Sequence, residues 1–192
     1  MTKEFKRDNL FFSLCGLNCS LCPMFVTKKC AGCIEGSICY NICDIAPCSI
    51  EHHGVDYCFE CEEYPCKKYD GINQHDSVMT HINQLIDMEK AKNMGVEKYN
   101  QQQRQKVQIL HEFLENYNYG NDNELFFCTA VNLLPLTDLF EIIESVEKYT
   151  INMALKEKYG YLNHKLFEYA NNSNINIELR KSKYNKAKIT FF

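Results

Sequence analysis

The sequence contains no long apolar run. The longest apolar stretches, residues 10–14 and 125–134, are far shorter than the roughly 20 residues that a membrane-spanning helix needs. The basic residues near the start do not form a signal-peptide pattern, because the apolar run after them is short and no small-residue cleavage site follows. We therefore expect a cytoplasmic protein with no membrane association.

An excess of basic residues is also missing. The chain has 21 Lys and Arg against 25 Asp and Glu, for a net charge of -4. Within residues 1–70, seven basic residues stand against ten acidic ones. Basic side chains must neutralise the phosphates of a bound nucleic acid, so this composition disfavours a nucleic-acid partner.

Catalytic signatures are absent from the sequence as well. We find no glycine-rich phosphate loop, no Ser/His/Asp order and no paired-carboxylate motif. No catalytic residue is therefore assigned, and the sequence leaves open whether the protein is an enzyme.

Cysteine, in contrast, is abundant: eleven of the twelve cysteines lie within residues 15–66. Disulfides are rare in a reducing cytoplasm, and an odd number of cysteines would leave one thiol without a partner, so we expect metal binding instead. The predicted ligands are Cys15, Cys19, Cys22, Cys30, Cys33, Cys39, Cys43, Cys48, Cys58, Cys61 and Cys66. His52 or His53, which lie among them, is a candidate additional ligand.

The spacing of the cysteines supports this prediction. Three pairs, Cys19/Cys22, Cys30/Cys33 and Cys58/Cys61, have the two-residue gap that lets one tight turn direct two thiolates at one ion. With one histidine the set supplies twelve ligands, enough for three four-ligand sites. Fewer sites or a cluster with bridging thiolates would also fit, and spacing does not show which cysteines belong together.

The identity of the metal stays open between two alternatives. Irregular spacing over a small segment favours roughly two to three zinc ions. A [4Fe–4S] cluster on Cys15, Cys19, Cys22 and one further cysteine is the alternative. The gaps in that trio also occur in radical enzymes that use S-adenosylmethionine, but the large α/β barrel of those enzymes is not predicted here.

The predicted fold is α+β, mainly α: an irregular, metal-stabilised module packs on a helical domain. The boundaries are 1–72 for the cysteine-rich module and 73–192 for the helical domain, with a C-terminal β-hairpin at about 174–192 because apolar and polar residues alternate there. The predicted helices cover about 78–93, a segment from Tyr99 to Gly120, 125–134, a segment that ends near Lys158 and is closed by Gly160, and 162–170. We expect 99–108 to be solvated and Cys128 to be a core cysteine.

The order of the motifs resembles a known family. Cys15-Gly-Leu-Asn-Cys19-x-x-Cys22-Pro, Cys30-x-Gly-Cys33, Cys43-x-Ile-x-x-Cys48 and Cys58-x-x-Cys61-Glu-x-Tyr-Pro-Cys66 are similar to the bacterial and archaeal family catalogued as domain of unknown function 3795. The resemblance extends through Gly95-Val-Glu-Lys-Tyr and Phe126-Phe-Cys128-Thr-Ala, over most of residues 10–150. It implies zinc binding in a cytosolic setting and no defined activity.

Three functions follow as hypotheses. In the first, structural zinc stabilises an interaction or adaptor module that meets a protein partner or an unidentified small molecule. The second is a zinc-dependent enzyme or metallochaperone, which needs an open or labile coordination position. The third is an iron–sulfur redox protein.

Overall fold

A computed structural model describes residues 5–120 and 123–180, and all regular secondary structure in these ranges is helical. The described ranges contain seven α-helices: α1 Pro23–Val26, α2 Ile45–Glu51, α3 Gln84–Met94, α4 Val96–Asn116, α5 Asn123–Leu133, α6 Leu136–Thr150 and α7 Leu155–Asn172. In the cysteine-rich segment one 3-10 turn lies between α1 and α2, and two more follow α2. None of the described helices has the length and apolarity required to cross a membrane.

The predicted α+β class is wrong, because the described residues contain no strand. Residues 175–180 instead run over the helices, with Ile177 only 1% exposed in the helical core. The Ile175 backbone N–H donates to the Ala170 carbonyl at the end of α7, and the Arg180 backbone N–H donates to the Asp76 carboxylate. The alternation in residues 175–180 therefore reflects one buried isoleucine, and these residues pair with no strand. Residues 181–192 of the predicted hairpin lie outside the described residues.

Helices α4 to α7 enclose the main hydrophobic core. Along α5, every residue from Phe127 to Leu133 is buried, which agrees with the buried helix predicted from its apolar run. One face of α4, with Leu110 and Phe113, packs against it, and α6 and α7 pack on each other and close the core. Periodic apolar residues thus predict these helices, because burial of one face stabilises each of them.

The predicted boundary between the last two helices is wrong. Residues 151–154 form the non-helical connection between α6 and α7, and Gly160 lies inside α7. The Ala154 backbone N–H donates to the Glu157 carboxylate at 3.0 Å, which satisfies one of the free N–H groups at the start of α7. Gly160 is exposed and its surroundings are open, so α7 continues through it at a modest cost in helix propensity.

The prediction that residues 99–108 are solvated is wrong for one face of this part of α4, whereas Gln101, Arg104, Gln105 and Gln108 are exposed. Tyr99, Asn100 and Gln103 are buried, and the Tyr99 hydroxyl donates to the Asn18 side-chain oxygen at 2.8 Å. The polar face of this part of α4 therefore packs against the cysteine-rich segment. The sequence pattern around Tyr99 does not predict this burial, because the hydrogen-bond partner, Asn18, lies 81 positions away.

The cysteine-rich segment has two small apolar clusters of its own. One contains Phe5, Leu14, Ile45, Ala46 and Tyr69, with several cysteines packed against it. The other joins the segment to the helices, since Phe12 and Tyr57 pack there with residues of α3 and α4. The predicted division at residue 72 therefore crosses packed surfaces in the fold.

Candidate metal centre

Backbone N–H groups point at the sulfur atoms of several predicted ligands. The Gly32 N–H donates to Cys30 Sγ at 3.4 Å, and the Ala46 N–H donates to Cys43 Sγ at 3.3 Å. In the first motif a serine hydroxyl lies beside the sulfur instead. The Leu17 N–H donates to Ser13 Oγ at 2.7 Å, and Ser13 Oγ lies 3.3 Å from Cys15 Sγ. Donors directed at sulfur favour the thiolate form, which is the form that binds metal.

Burial opposes these donors. It raises the pKa of the Cys15 thiol to about 12, with further contributions from the neighbouring Cys33 and Cys43 thiols, while Ser13 and the Leu17 N–H act in the opposite direction. Burial also raises the pKa of Cys33, whose neighbours include Cys43 and Cys58. Cys15, Cys33 and Cys43 are therefore mutual neighbours, and all three pack against the same apolar cluster.

A second set of thiols lies beside this trio. Partial desolvation raises the pKa of the Cys39 thiol to about 12, although the residue as a whole is exposed, and the largest contributions from neighbours come from Cys30 and Cys22. Cys22 in turn has Cys30 as a neighbour, and burial raises its pKa too. Cys19 lies between the two sets, because after burial its pKa is raised by thiols of both.

Four cysteines at the end of the cysteine-rich segment line one small cavity. Cys48 on α2 and Cys58, Cys61 and Cys66 in the following turns border a space of about 30 Å³. Its other walls are mostly apolar, from residues such as Ile45, Val55, Tyr64 and Tyr69. This volume has room for a water molecule or a single ion, and is too small for an organic substrate.

The two candidate histidines differ in position. His52 lines the four-cysteine cavity, with Nδ1 2.9 Å from the Cys48 carbonyl oxygen and 3.5 Å from Cys48 Sγ. Its Nε2 lies 3.5 Å from a Glu63 carboxylate oxygen, and the hydrogen bond to the Cys48 carbonyl, followed by Glu63, raises the His52 pKa. His53 is exposed, has a positive φ of 69° and does not line the cavity. Of the two, only His52 is placed beside cysteine sulfur.

The donor set suits a thiophilic metal: thiols in tight turns, N–H groups directed at sulfur and one adjacent imidazole are what zinc and iron–sulfur clusters use. No group of three or more His, Cys, Asp or Glu side chains in residues 5–120 and 123–180 is, however, placed so that it could hold a metal ion. The predicted ligands are neighbours in the structure, but their side chains do not form a coordination site.

Cys128 is not among the predicted ligands, although Cys22 is its neighbour. It is 1% exposed within the core around α5, as predicted, and burial raises its pKa well above the ordinary range, with a further contribution from Cys22. His111 is exposed on α4 and lines a separate cleft. Buried thiols of this kind are chemically inert, so Cys128 is a packing residue.

Sequence reasoning assigned no role to Asn18, which the structure places at the centre of a buried polar network. Its amide nitrogen donates to the Asp87 carboxylate at 2.8 Å and to the Asn132 side-chain oxygen at 2.9 Å, while its oxygen accepts from Tyr99. The network ties the first cysteine motif to α3, α4 and α5. Its only sequence signal is a polar residue inside a metal-binding motif.

Lys106 on α4 was also missed. Its ammonium donates to the carbonyl oxygens of Asn132 at 2.9 Å and Leu134 at 2.8 Å, and so satisfies carbonyl groups at the end of α5. Burial lowers the pKa of Lys106 to about 8, although the nearby Asp87 carboxylate acts in the opposite direction. No local pattern distinguishes this lysine from a solvated one.

A scan against models of protein families, a search of curated proteins and a search of solved structures each found no match to this chain. The resemblance drawn from the cysteine motifs therefore stays a prediction.

Proposed function

We propose that residues 15–66 bind roughly two to three zinc ions whose main role is to stabilise the fold of a cytoplasmic interaction protein. The observation that carries this proposal is the cavity of about 30 Å³ lined by Cys48, Cys58, Cys61 and Cys66. Four thiolates around one ion form a closed site, and closed sites stabilise structure without leaving a position for substrate.

The neighbourhoods divide the predicted ligands into three sets. Four cysteines line the cavity, and a second set contains Cys22, Cys30 and Cys39. The third contains Cys15, Cys33 and Cys43. Cys19 is a neighbour of both of these sets, with Cys33 and Cys15 contributing most, so it is a candidate fourth ligand for either. The eleven cysteines thus support up to three metal sites.

The third set also favours a second candidate function. When Cys19 completes the second set, the three thiolates of the third leave a fourth position for another ligand, which is the arrangement that a catalytic zinc, a metal carrier or a [4Fe–4S] cluster uses. Cys19 and Cys58 are both neighbours of Cys15 and Cys33 and are the alternative fourth ligands; the use of Cys58 there would take it from the cavity. An exchangeable metal or a redox-active cluster at Cys15, Cys33 and Cys43 is therefore the competing proposal.

Metal analysis and an optical spectrum after anaerobic purification distinguish these proposals. We expect colourless protein with roughly two to three zinc ions per chain. A brown protein with visible absorption and bound iron would replace the zinc proposal with the iron–sulfur one. Protein without zinc or iron would overturn both.

Variants locate the site. Cys61→Ser should lower the zinc content by about one ion, because a four-thiolate site without one ligand binds zinc far more weakly. Cys128→Ala is the matched control, since it removes a buried thiol outside the predicted ligands. Zinc content that is unchanged in Cys58→Ser/Cys61→Ser would show that the cavity is not a metal site.

A further inference from the structure

A cleft unrelated to the four-cysteine cavity lies between the cysteine-rich segment and α4. Its volume is about 830 Å³, within the range of small-molecule sites. The walls come from the N-terminal segment, α1 with the loop after it, and α4. Side chains that form its apolar surface are Leu10, Phe11, Phe25, Val26, Ile34 and Val107.

One residue of the cleft wall carries a buried hydroxyl. Ser20 is 3% exposed and lines the cleft, and its Oγ is itself buried and has no hydrogen-bond partner among the described residues. A buried hydroxyl without a partner costs free energy, because it has lost its bonds to water and gained none. A ligand oxygen would remove that cost only after the Ser20 side chain turned toward the cleft.

The charges at the rim favour an anion. Lys28 and Lys29 line the cleft and are exposed, and no carboxylate in the described part of the chain forms an ion pair with either of them within 4.0 Å. Glu35 also lines the cleft, and its carboxylate accepts a hydrogen bond of 3.4 Å from the Phe5 backbone N–H. The rim therefore carries two lysines against one carboxylate, which leaves an excess of one positive charge.

Two of the apolar lining residues pack closely on the loop after α1. Gly32 has a φ of +98°, and a Cβ at this position would lie 3.3 Å from the Phe25 ring and 3.5 Å from Leu10. The absence of a side chain at Gly32 lets these two residues, which line the cleft, approach the backbone.

We propose that this cleft binds a small amphipathic anion: its apolar body contacts the phenylalanine and aliphatic walls, and its carboxylate is held at the lysine rim. Medium-chain carboxylates have this chemistry. Cys30, a predicted metal ligand, also lines the cleft, so the binding test uses the metal-loaded protein.

The test uses decanoate and decyltrimethylammonium, which share an alkyl chain and have opposite charges. Each is titrated calorimetrically, below its micelle concentration, into the full-length protein purified anaerobically. We expect saturable binding of decanoate, at least about tenfold tighter than that of the cation. No saturable binding of decanoate, or equal binding of both compounds, would overturn the proposal.

Two variants test the location. Lys28→Glu/Lys29→Glu should weaken decanoate binding by about tenfold or more, whereas Lys92→Glu/Lys98→Glu, on exposed positions outside the cleft, makes the same change in net charge and should leave it unchanged. Val107→Trp should abolish binding by filling the cleft, and Ile86→Trp on an exposed part of α3 is its control. Equal losses in the lysine variants and their control would assign the binding to net charge and overturn the cleft site.

Discussion

At the scale of single residues, Gly16 shows how closely the first cysteine motif sits on α3. It has a φ of +95°, and a Cβ there would lie 2.2 Å from Met88 Cγ and 2.8 Å from the Gln84 carbonyl oxygen. The Gln84 side chain also donates to the Cys15 carbonyl oxygen at 3.0 Å. The glycine between Cys15 and Leu17 therefore permits both the turn and the contact with the helix.

We expect Gly16→Ala to lower the free energy of unfolding by about 3 kcal/mol or more, because it adds backbone strain and an overlap with a backbone oxygen. Chemical denaturation of the metal-loaded protein measures this. Gly36→Ala is the matched control: its φ is +80° but nothing lies within 4 Å of the added Cβ. That variant should lose only about 1–2 kcal/mol, the cost of the positive φ. Equal losses would mean that the contact with α3 contributes nothing.

At the scale of elements, the segment after α7 is held by one buried ion pair. Arg180 donates to the Asp76 carboxylate through its backbone N–H at 2.7 Å and its guanidinium at 2.7 and 3.2 Å. Burial alone would raise the pKa of Asp76, but the bonds from Arg180 and from the His81 backbone N–H lower it below its ordinary value. The Asp76 side chain is fully buried and that of Arg180 is 33% exposed.

Arg180→Ala should lower the free energy of unfolding by about 2 kcal/mol, since it leaves a buried carboxylate without its charged partner. Hydrogen exchange should show faster opening of residues 175–180. Arg104→Ala, which breaks the exposed pair with Glu97, should cost less than about 1 kcal/mol. A cost for Arg180→Ala no larger than for Arg104→Ala would show that Asp76 does not anchor the segment.

The Asp76–Arg180 pair makes the free energy of unfolding depend on pH. Because the pKa of Asp76 is lower in the folded state than in the unfolded state, its stabilising contribution is complete above its unfolded value and is lost as the pH falls through the folded one. In Asp76→Asn this acid-dependent part of the stability should be absent. The difference in stability between the two proteins therefore shrinks on acidification.

At the scale of the whole molecule, stability is divided unevenly. The core of α4 to α7 contains most of the fully buried apolar side chains, while the cysteine-rich segment has only two small clusters. Structural zinc contributes on the order of 10 kcal/mol in small domains. The proposed metals would therefore supply most of the stability of residues 15–66, and little of that of the helical core.

Chelation of the metal should unfold the cysteine-rich segment and leave most of the helical circular-dichroism signal from α4 to α7. Limited proteolysis should then cut within residues 15–66. A chelator already saturated with zinc is the control, since it adds the same molecule without removing metal. Unchanged proteolysis and circular dichroism after demonstrated metal loss would refute a structural role for the metal.

The sequence by itself determined the locally encoded features: helices with a periodic apolar face, a buried α5 and a cluster of thiols with turn-forming spacing. These depend on neighbours a few positions away, so they are visible in the chain. The sequence did not predict the connection between α6 and α7 at 151–154, because Gly160 is a stronger helix-breaking signal than the residues around Ala154. The predicted hairpin failed because period-two alternation also describes an irregular segment with one buried residue, Ile177.

Only the tertiary structure decided which cysteines are neighbours. Cys48 joins Cys58, Cys61 and Cys66 because α2 and the later turns meet around one cavity, and spacing along the chain does not encode that meeting. The burial of Tyr99 and the cleft beside Ser20 likewise depend on how α4 packs against the cysteine-rich segment, and the bonds of Lys106 depend on how α4 packs against the end of α5. Residue type and local spacing predict which side chains could bind a metal, whereas contacts between distant segments follow from packing of the whole chain.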